Sequence, residues 1–176
     1  MTTNKFAYPV EFGTHPNIIF ELVKNSNCQK YLELGIYDGT CISKIANIVN
    51  KAVGVDIKKF HNYDNFIFIE STTDNFFISN TDTFDIIFID ADHSYESVKK
   101  DFENSLKILN KHGIIFLHDT DPMYKYLNEP GYCGDSYKMI KYIKDNHPEL
   151  NIINLPISEA GLTIINRIDD QRHLNY

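Results

Sequence analysis

Asp90-Ala91-Asp92-His93 and His118-Asp119-Thr120 bring three carboxylates and two imidazoles into two short segments. Ionised carboxylates accept hydrogen bonds and suit hard cations, and an imidazole with an ordinary pKa near 6.5 exchanges a proton close to neutrality. Such groups suit a weak oxygen nucleophile, which needs a base or a cation before it attacks at neutral pH. A third segment, Gly35-Ile36-Tyr37-Asp38-Gly39-Thr40, has glycines that permit a tight turn and a close approach to a ligand. A dinucleotide fingerprint requires glycine at the first, third and sixth positions, which here hold Gly35, Tyr37 and Thr40. No Gly-Lys-Ser/Thr follows, so a Walker-type phosphate loop is also missing. The loop therefore fits a nucleoside without a diphosphate. Asp56 can accept both hydroxyls of a ribose, with Ser71, Thr72 and Thr73 near the base.

All of these residues follow short apolar runs. Tyr31–Leu34, Ala52–Val55, Phe66–Ile69, Phe84–Ile89 and Ile114–Leu117 are rich in β-branched and aromatic residues and mostly continuous. Strands buried on both faces of a parallel sheet read this way. Between them, Ile42, Ile45, Ala46 and Val49 recur at helical spacing, and Val98, Phe102, Leu106 and Leu109 predict a helix over Tyr95 to Leu109. The helical signal from Lys58 to Asn65 is weak. Asn151–Leu155 and Gly161–Asn166 read as an antiparallel hairpin, and the strand starting near Gly161 is apolar enough to insert beside the fifth strand.

In open α/β sheets, ligands bind beyond the carboxyl ends of the strands. Those ends present Glu33 and the glycine loop, Asp56, Glu70-Ser71-Thr72, Asp90-Ala91-Asp92-His93 and His118-Asp119-Thr120. Helix capping would explain any one of them, because Asp, Ser and Thr favour helix starts. It does not explain polar groups at all five. Asp121–Ser136, with Pro122, Tyr124, Tyr126, Gly131 and Gly134, lies where a lid over an acceptor would sit.

Composition bounds the rest. The 176 residues are 43% apolar and 23% charged, which suits one globular α/β domain over 1–176 with a core of about 17–166. A net charge of −7 with scattered Lys and Arg repels a phosphate backbone, so no nucleic-acid partner is expected. Cys28, Cys41 and Cys133 are odd in number and match no zinc spacing, which suits a reducing compartment. Met1–Val10 has no leader pattern and no run reaches membrane-spanning length, so a cytoplasmic location without a membrane partner is expected. His61, His112, His147 and His173 lack acidic or cysteine partners at ligand spacing and read as surface residues.

The stretch Tyr31-Leu32-Glu33-Leu34-Gly35-Ile36-Tyr37-Asp38-Gly39, with Asp56 on the next strand, resembles motifs one and two of class I S-adenosylmethionine-dependent methyltransferases. Phe84 to Thr120, carrying Asp-Ala-Asp-His-Ser-Tyr and a later His-Asp, is similar to the subgroup of bacterial small-molecule and sugar O-methyltransferases. The resemblance implies a Rossmann-like fold: a mostly parallel seven-stranded sheet with a C-terminal antiparallel hairpin and helices on both faces. It implies that Glu33, Gly35 and Gly39 surround the amino-acid end of S-adenosyl-L-methionine and Asp56 its ribose. Ile36, Tyr37, Ile57, Ser71, Thr72 and Asp90 complete the expected cofactor site.

In metal-dependent relatives the acids matching Asp90 and Asp119 hold a divalent cation, magnesium or manganese. The neighbour of the second acid is often Glu, Asp or Asn, whereas this chain has His118 and Thr120, and His118 becomes the candidate third ligand. The base matches either Asp92 or His93. A small-molecule or sugar acceptor follows, with a homo-oligomer left open. Two alternatives stay beside this reading: a metal-independent N- or O-methyltransferase, and a catalytically inactive cofactor-binding module.

Overall fold

The structure, a computed structural model, describes residues 14–59 and 65–168. Helix α1 (His15–Lys24) precedes strand β1 (Lys30–Leu34), helix α2 (Thr40–Ile45) and strands β2 (Lys51–Asp56) and β3 (Ile67–Glu70). Then come α3 (Thr73–Ser79), β4 (Phe84–Ile89), α4 (Tyr95–Ile108) and β5 (Leu109–His118). A 3₁₀ turn (Lys125–Asn128), α5 (Lys138–Asn146), β6 (Leu150–Leu155) and β7 (Leu162–Arg167) complete the order.

The seven strands form one sheet in the order β3-β2-β1-β4-β5-β7-β6. The first five are parallel, and β7 pairs antiparallel with both β5 and β6, placing Leu162 opposite His118. This is the mostly parallel seven-stranded, Rossmann-like sheet with a C-terminal hairpin that the resemblance implies, and β7 inserts beside β5 as its apolar run predicts. Strand order reverses between β1 and β4, where such sheets open a crevice.

Alternation along the strands feeds two cores. Leu32, Leu34, Ile87, Ile89 and Ile115 pack with Phe76, Phe102, Met139 and Ile143 of α3, α4 and α5. Tyr31, Ile86, Phe88 and Phe116 pack with Ile19, Val23, Ile42 and Ile45 of α1 and α2. Both faces of the sheet are thus covered, which explains the nearly continuous apolar runs.

The structure departs from the sequence expectation at several joints. Leu109, read as the last helical position, starts β5, which runs five residues upstream of Ile114. The register shift opposite Phe84 and Ile86 accommodates this extension. The corner is tied from the far end of the chain: Arg167 donates to the carbonyls of Leu106, Leu109 and Asn110 at 2.8, 3.3 and 3.0 Å. Helix α2 stops at Ile45, short of the predicted Val49.

Helices α1 and α3 were not anticipated. Pro16 opens the first, and Thr72 caps the second by accepting from Asn75 N at 3.3 Å. His112 is exposed as expected. His147 is not a free surface residue: its side chain is 14% exposed, with Nε2 at 2.8 Å from Glu103 and Nδ1 at 3.0 Å from Glu149. The partners come from α4 and from the turn after α5, a proximity that sequence spacing does not display. The expectations for Met1–Val10, His61 and His173 lie outside the described residues. Among those described, no helix is long and apolar enough to cross a membrane.

Candidate active site

A cavity of about 1060 Å³ opens beyond the carboxyl ends of β1 to β5, slightly above the usual size range for small-molecule sites. Tyr37, Asp56, Ile57, Ser71 and Thr72 line one end, and Asp90, His93, His118 and Asp119 the other. Leu127, Gly131, Tyr132 and Cys133, from the stretch read as a lid, also form part of its wall.

Gly35 adopts φ +83°, and a Cβ there would strike the carbonyl of Asp90. The glycine is needed because the end of β4 crosses over the loop, and Gly35 itself borders the cavity. Asp56, at the end of β2, accepts from Ile36 N at 2.8 Å and Tyr37 N at 3.1 Å through Oδ2. Its Oδ1 accepts from Lys58 N at 3.2 Å. The carboxylate therefore braces the glycine loop while also lining the cavity.

Glu33, Ile36 and Gly39 are not brought to the cavity wall. Glu33 shares a face of β1 with Tyr31, whose hydroxyl donates to it at 2.6 Å. Burial pushes the Glu33 carboxyl up to about 8, against the hydrogen bond from Tyr31. Ile36 belongs to the core beneath α2, and Gly39 is that helix's N-cap at φ +76°.

The other end is a knot of ionisable side chains. His118 Nδ1 lies 3.0 Å from Asp90 Oδ1 and 3.3 Å from Asp119 Oδ1. His93 Nδ1 lies 3.1 Å from Asp119 Oδ2, and its Nε2 is 3.9 Å from Asp90 Oδ1. The same Nδ1 also meets the carbonyl of Tyr132. Asp119, 7% exposed, holds φ +60°, a conformation costly outside glycine that aims its side chain back at the knot. Burial raises the Asp119 carboxyl despite His118 and His93 beside it. Burial works to lower His118, but Asp90 and Asp119 outweigh it and raise that imidazole.

Ligand atoms of Asp90, His93 and Asp119 all lie within 4.8 Å of one another. Two carboxylates and one imidazole at that spacing fit a hard divalent cation with positions to spare. The cluster thus joins the two acids to His93, where the sequence pointed to His118 as the third ligand. Asp92 Oδ1 accepts from Ser94 N at 2.7 Å, shaping the turn into α4.

His15 was missed altogether. Its ring centroid is 4.1 Å from that of His118 and 5.4 Å from that of Phe88, and burial beside His118 lowers its pKa to about 4. It belongs to a helix rather than a strand end, so no strand-end argument finds it. The lid region is fastened to the same knot. Asp135 N and Ser136 Oγ donate to the carbonyl of His93 at 3.2 and 2.9 Å. A Cβ on Gly134 would strike that carbonyl. Burial and nearby Asp119 push the Cys133 thiol up to about 12.

The fold recurs in solved structures. Cofactor-bound Rv0187 from MTB aligns with a TM-score of 0.71 at 14% identity, over 93% of this chain and 82% of that one. The O-methyltransferase of Bacillus cereus in complex with SAH gives 0.65 at 15%, over 91% and 82%. SAH-bound PaMTH1, a methyltransferase of Podospora anserina, gives 0.66 at 17%, over 93% and 83%. No curated protein matches the chain. A family model described as a methyltransferase domain matches residues 32–120, slightly more than half of the sequence. That segment begins in β1 and carries the glycine loop, Asp56, the turn from Asp90 to His93 and the final His118-Asp119, and the chain belongs to this methyltransferase domain family.

Proposed function

We propose that the chain transfers the methyl group of S-adenosylmethionine to a hydroxyl of a small molecule or sugar, with a divalent cation held by Asp90 and Asp119. The observation that carries this reading is the convergence of Asp90, His93 and Asp119 at one end of a cavity whose other end offers groups for a nucleoside. Methyl transfer from a sulfonium is an in-line displacement, so positioning and deprotonation of the acceptor are the protein's main tasks. A bound magnesium or manganese ion supplies Lewis-acid stabilisation of the acceptor oxygen.

His93 suits the proton transfer. With Nδ1 donating to Asp119 or to the Tyr132 carbonyl, its Nε2 is the unprotonated nitrogen able to accept from a hydroxyl. Asp119 then orients the base, and Asp92 shapes the turn that presents it. Asp56, Ile57, Ser71 and Thr72 receive the nucleoside, with Tyr37 and Gly35 on the loop beside it. The carboxylates of Asp56, Asp74, Asp90, Asp92, Glu96, Asp101 and Asp119 outnumber Lys58 and Lys100 on the wall. Such a wall favours a sulfonium cation and an uncharged polyol over a phosphorylated acceptor. A second, metal-independent reading rests on the His93–Asp119 contact alone, which makes a base without an ion.

Calorimetry tests the cofactor: S-adenosylhomocysteine is expected to bind and nicotinamide dinucleotides are not. Equal binding of a dinucleotide overturns the assignment. Chelation tests the ion. It is expected to abolish transfer, to leave cofactor affinity intact, and to be reversed by magnesium or manganese. Full activity in excess chelator would move the reading to the metal-independent enzyme.

A further inference from the structure

The inward stripe of α4 runs Val98, Asp101, Phe102, Ser105. Positions of this kind face the sheet and ordinarily hold apolar residues. Asp101 breaks the rule: it is only 3% exposed, yet it forms part of the cavity wall. A buried carboxylate is retained where donors satisfy it. The neighbouring cation acts on it only through its charge, because Lys100 Nζ is paired with Asp74 Oδ2 at 2.5 Å. Asp101 takes a hydrogen bond from Thr73, and a carboxylate has acceptor sites beyond the one that bond uses. Burial, despite that bond and with Asp74 and Asp92 close by, pushes the carboxyl up to about 6.

Its place in the cavity narrows what it can meet. Thr73 opens α3 directly after β3, the strand farthest from β4 and β5 on this side of the sheet. Through Thr73, Asp101 therefore lies on the β3 side of the cavity, with Asp92 its neighbour on the β4 side. Of the donors on S-adenosylmethionine, the ammonium and the ribose hydroxyls lie near the sulfur or midway along the molecule. The exocyclic amine of the base lies at the far tip. We infer that Asp101 accepts a hydrogen bond from the 6-amino group of the cofactor's adenine and selects an amino over an oxo substituent there. This rests on the proposed cofactor and adds a specificity-determining residue to it.

The test compares S-adenosylhomocysteine with its 6-oxo analogue, S-inosylhomocysteine, by calorimetry on the full chain and on Asp101→Asn. The full chain should prefer the amino compound by roughly tenfold or more, the scale for a hydrogen bond to a charged group. In Asp101→Asn the preference should collapse towards one, because an amide can accept from the amine or donate to the oxo group. A residue that serves only the fold would alter thermal stability and leave that ratio unchanged. An unchanged ratio in a folded variant overturns the assignment. A ratio near one in the unsubstituted chain overturns it even if the variant does not fold. Binding of neither compound to the unsubstituted chain would overturn the cofactor reading itself, and this inference with it.

Discussion

The two ends of the cavity are held in shape by different means. At the nucleoside end, Asp56 is fixed by three backbone N–H groups and Thr72 by one. At the reacting end, Asp90, His93, His118 and Asp119 are fixed mainly by one another. Backbone donors do not titrate and scarcely move, so the first end is set once the chain folds. Side-chain ion pairs change with each proton or ion that arrives, so the second end is a coupled unit. Loss of one group should therefore act on shape and affinity at the first end, and on chemistry at the second.

The strongest test of that contrast is His93→Ala. Turnover should fall by roughly 10²–10⁴, the range for losing a general base, with S-adenosylhomocysteine affinity nearly unchanged by calorimetry. Loss of divalent-ion binding in the same variant would make His93 a ligand rather than a base. Asp119→Ala should instead reproduce the effect of chelation, and steady-state assays across magnesium concentrations separate the two.

Asp56→Ala should weaken cofactor binding by about 1.5–3 kcal/mol, the scale for hydrogen bonds to a charged group. Because the variant also frees the N–H groups of Ile36 and Tyr37, amide exchange in the glycine loop should quicken. Unaltered exchange would break the view that this acid braces the loop. Thr72→Ala removes a helix cap and should cost about 1 kcal/mol of stability by denaturant unfolding. A loss of cofactor affinity with no loss of stability would give Thr72 to the ligand instead.

The smallest effect lies away from the cavity, where α4 meets the end of α5. Burial alone would lower His147, but the hydrogen bonds it donates to Glu149 and Glu103 raise it above 6.5. The folded state therefore favours the protonated ring, and its stabilisation is present below pH 6.5 and lost as pH rises through the folded value. Glu103, lowered below 4.5 by Tyr142 and His147 against burial, contributes above that pH and loses its contribution on acidification. The difference in melting temperature between the unsubstituted chain and His147→Gln should be largest between about pH 4.5 and 6.5.

The sheet was legible because a parallel strand buried on both faces leaves an apolar run and its carboxyl end carries the polar groups. The ends of β2, β4 and β5 followed from this rule, and so did the insertion of β7. What sequence could not display is which neighbours compete for a group. Asp56 reads as a ribose acceptor, and only the structure shows that the loop's own amides also donate to it. Glu33 follows a strand like the others, yet alternation turns it under α2 and away from the cavity. His15 and Asp101 stand on helices, where burial beside a distant strand end gives no periodic signal. Asp101 was visible only as a break in the apolar stripe of α4.

The fastening of Asp135 and Ser136 to the carbonyl of His93 has a mechanical consequence. The stretch that gives Leu127, Gly131, Tyr132 and Cys133 to the cavity wall cannot move away without breaking those two bonds to the His93 backbone. Displacement of this wall and displacement of the His93 backbone are thereby one event rather than two.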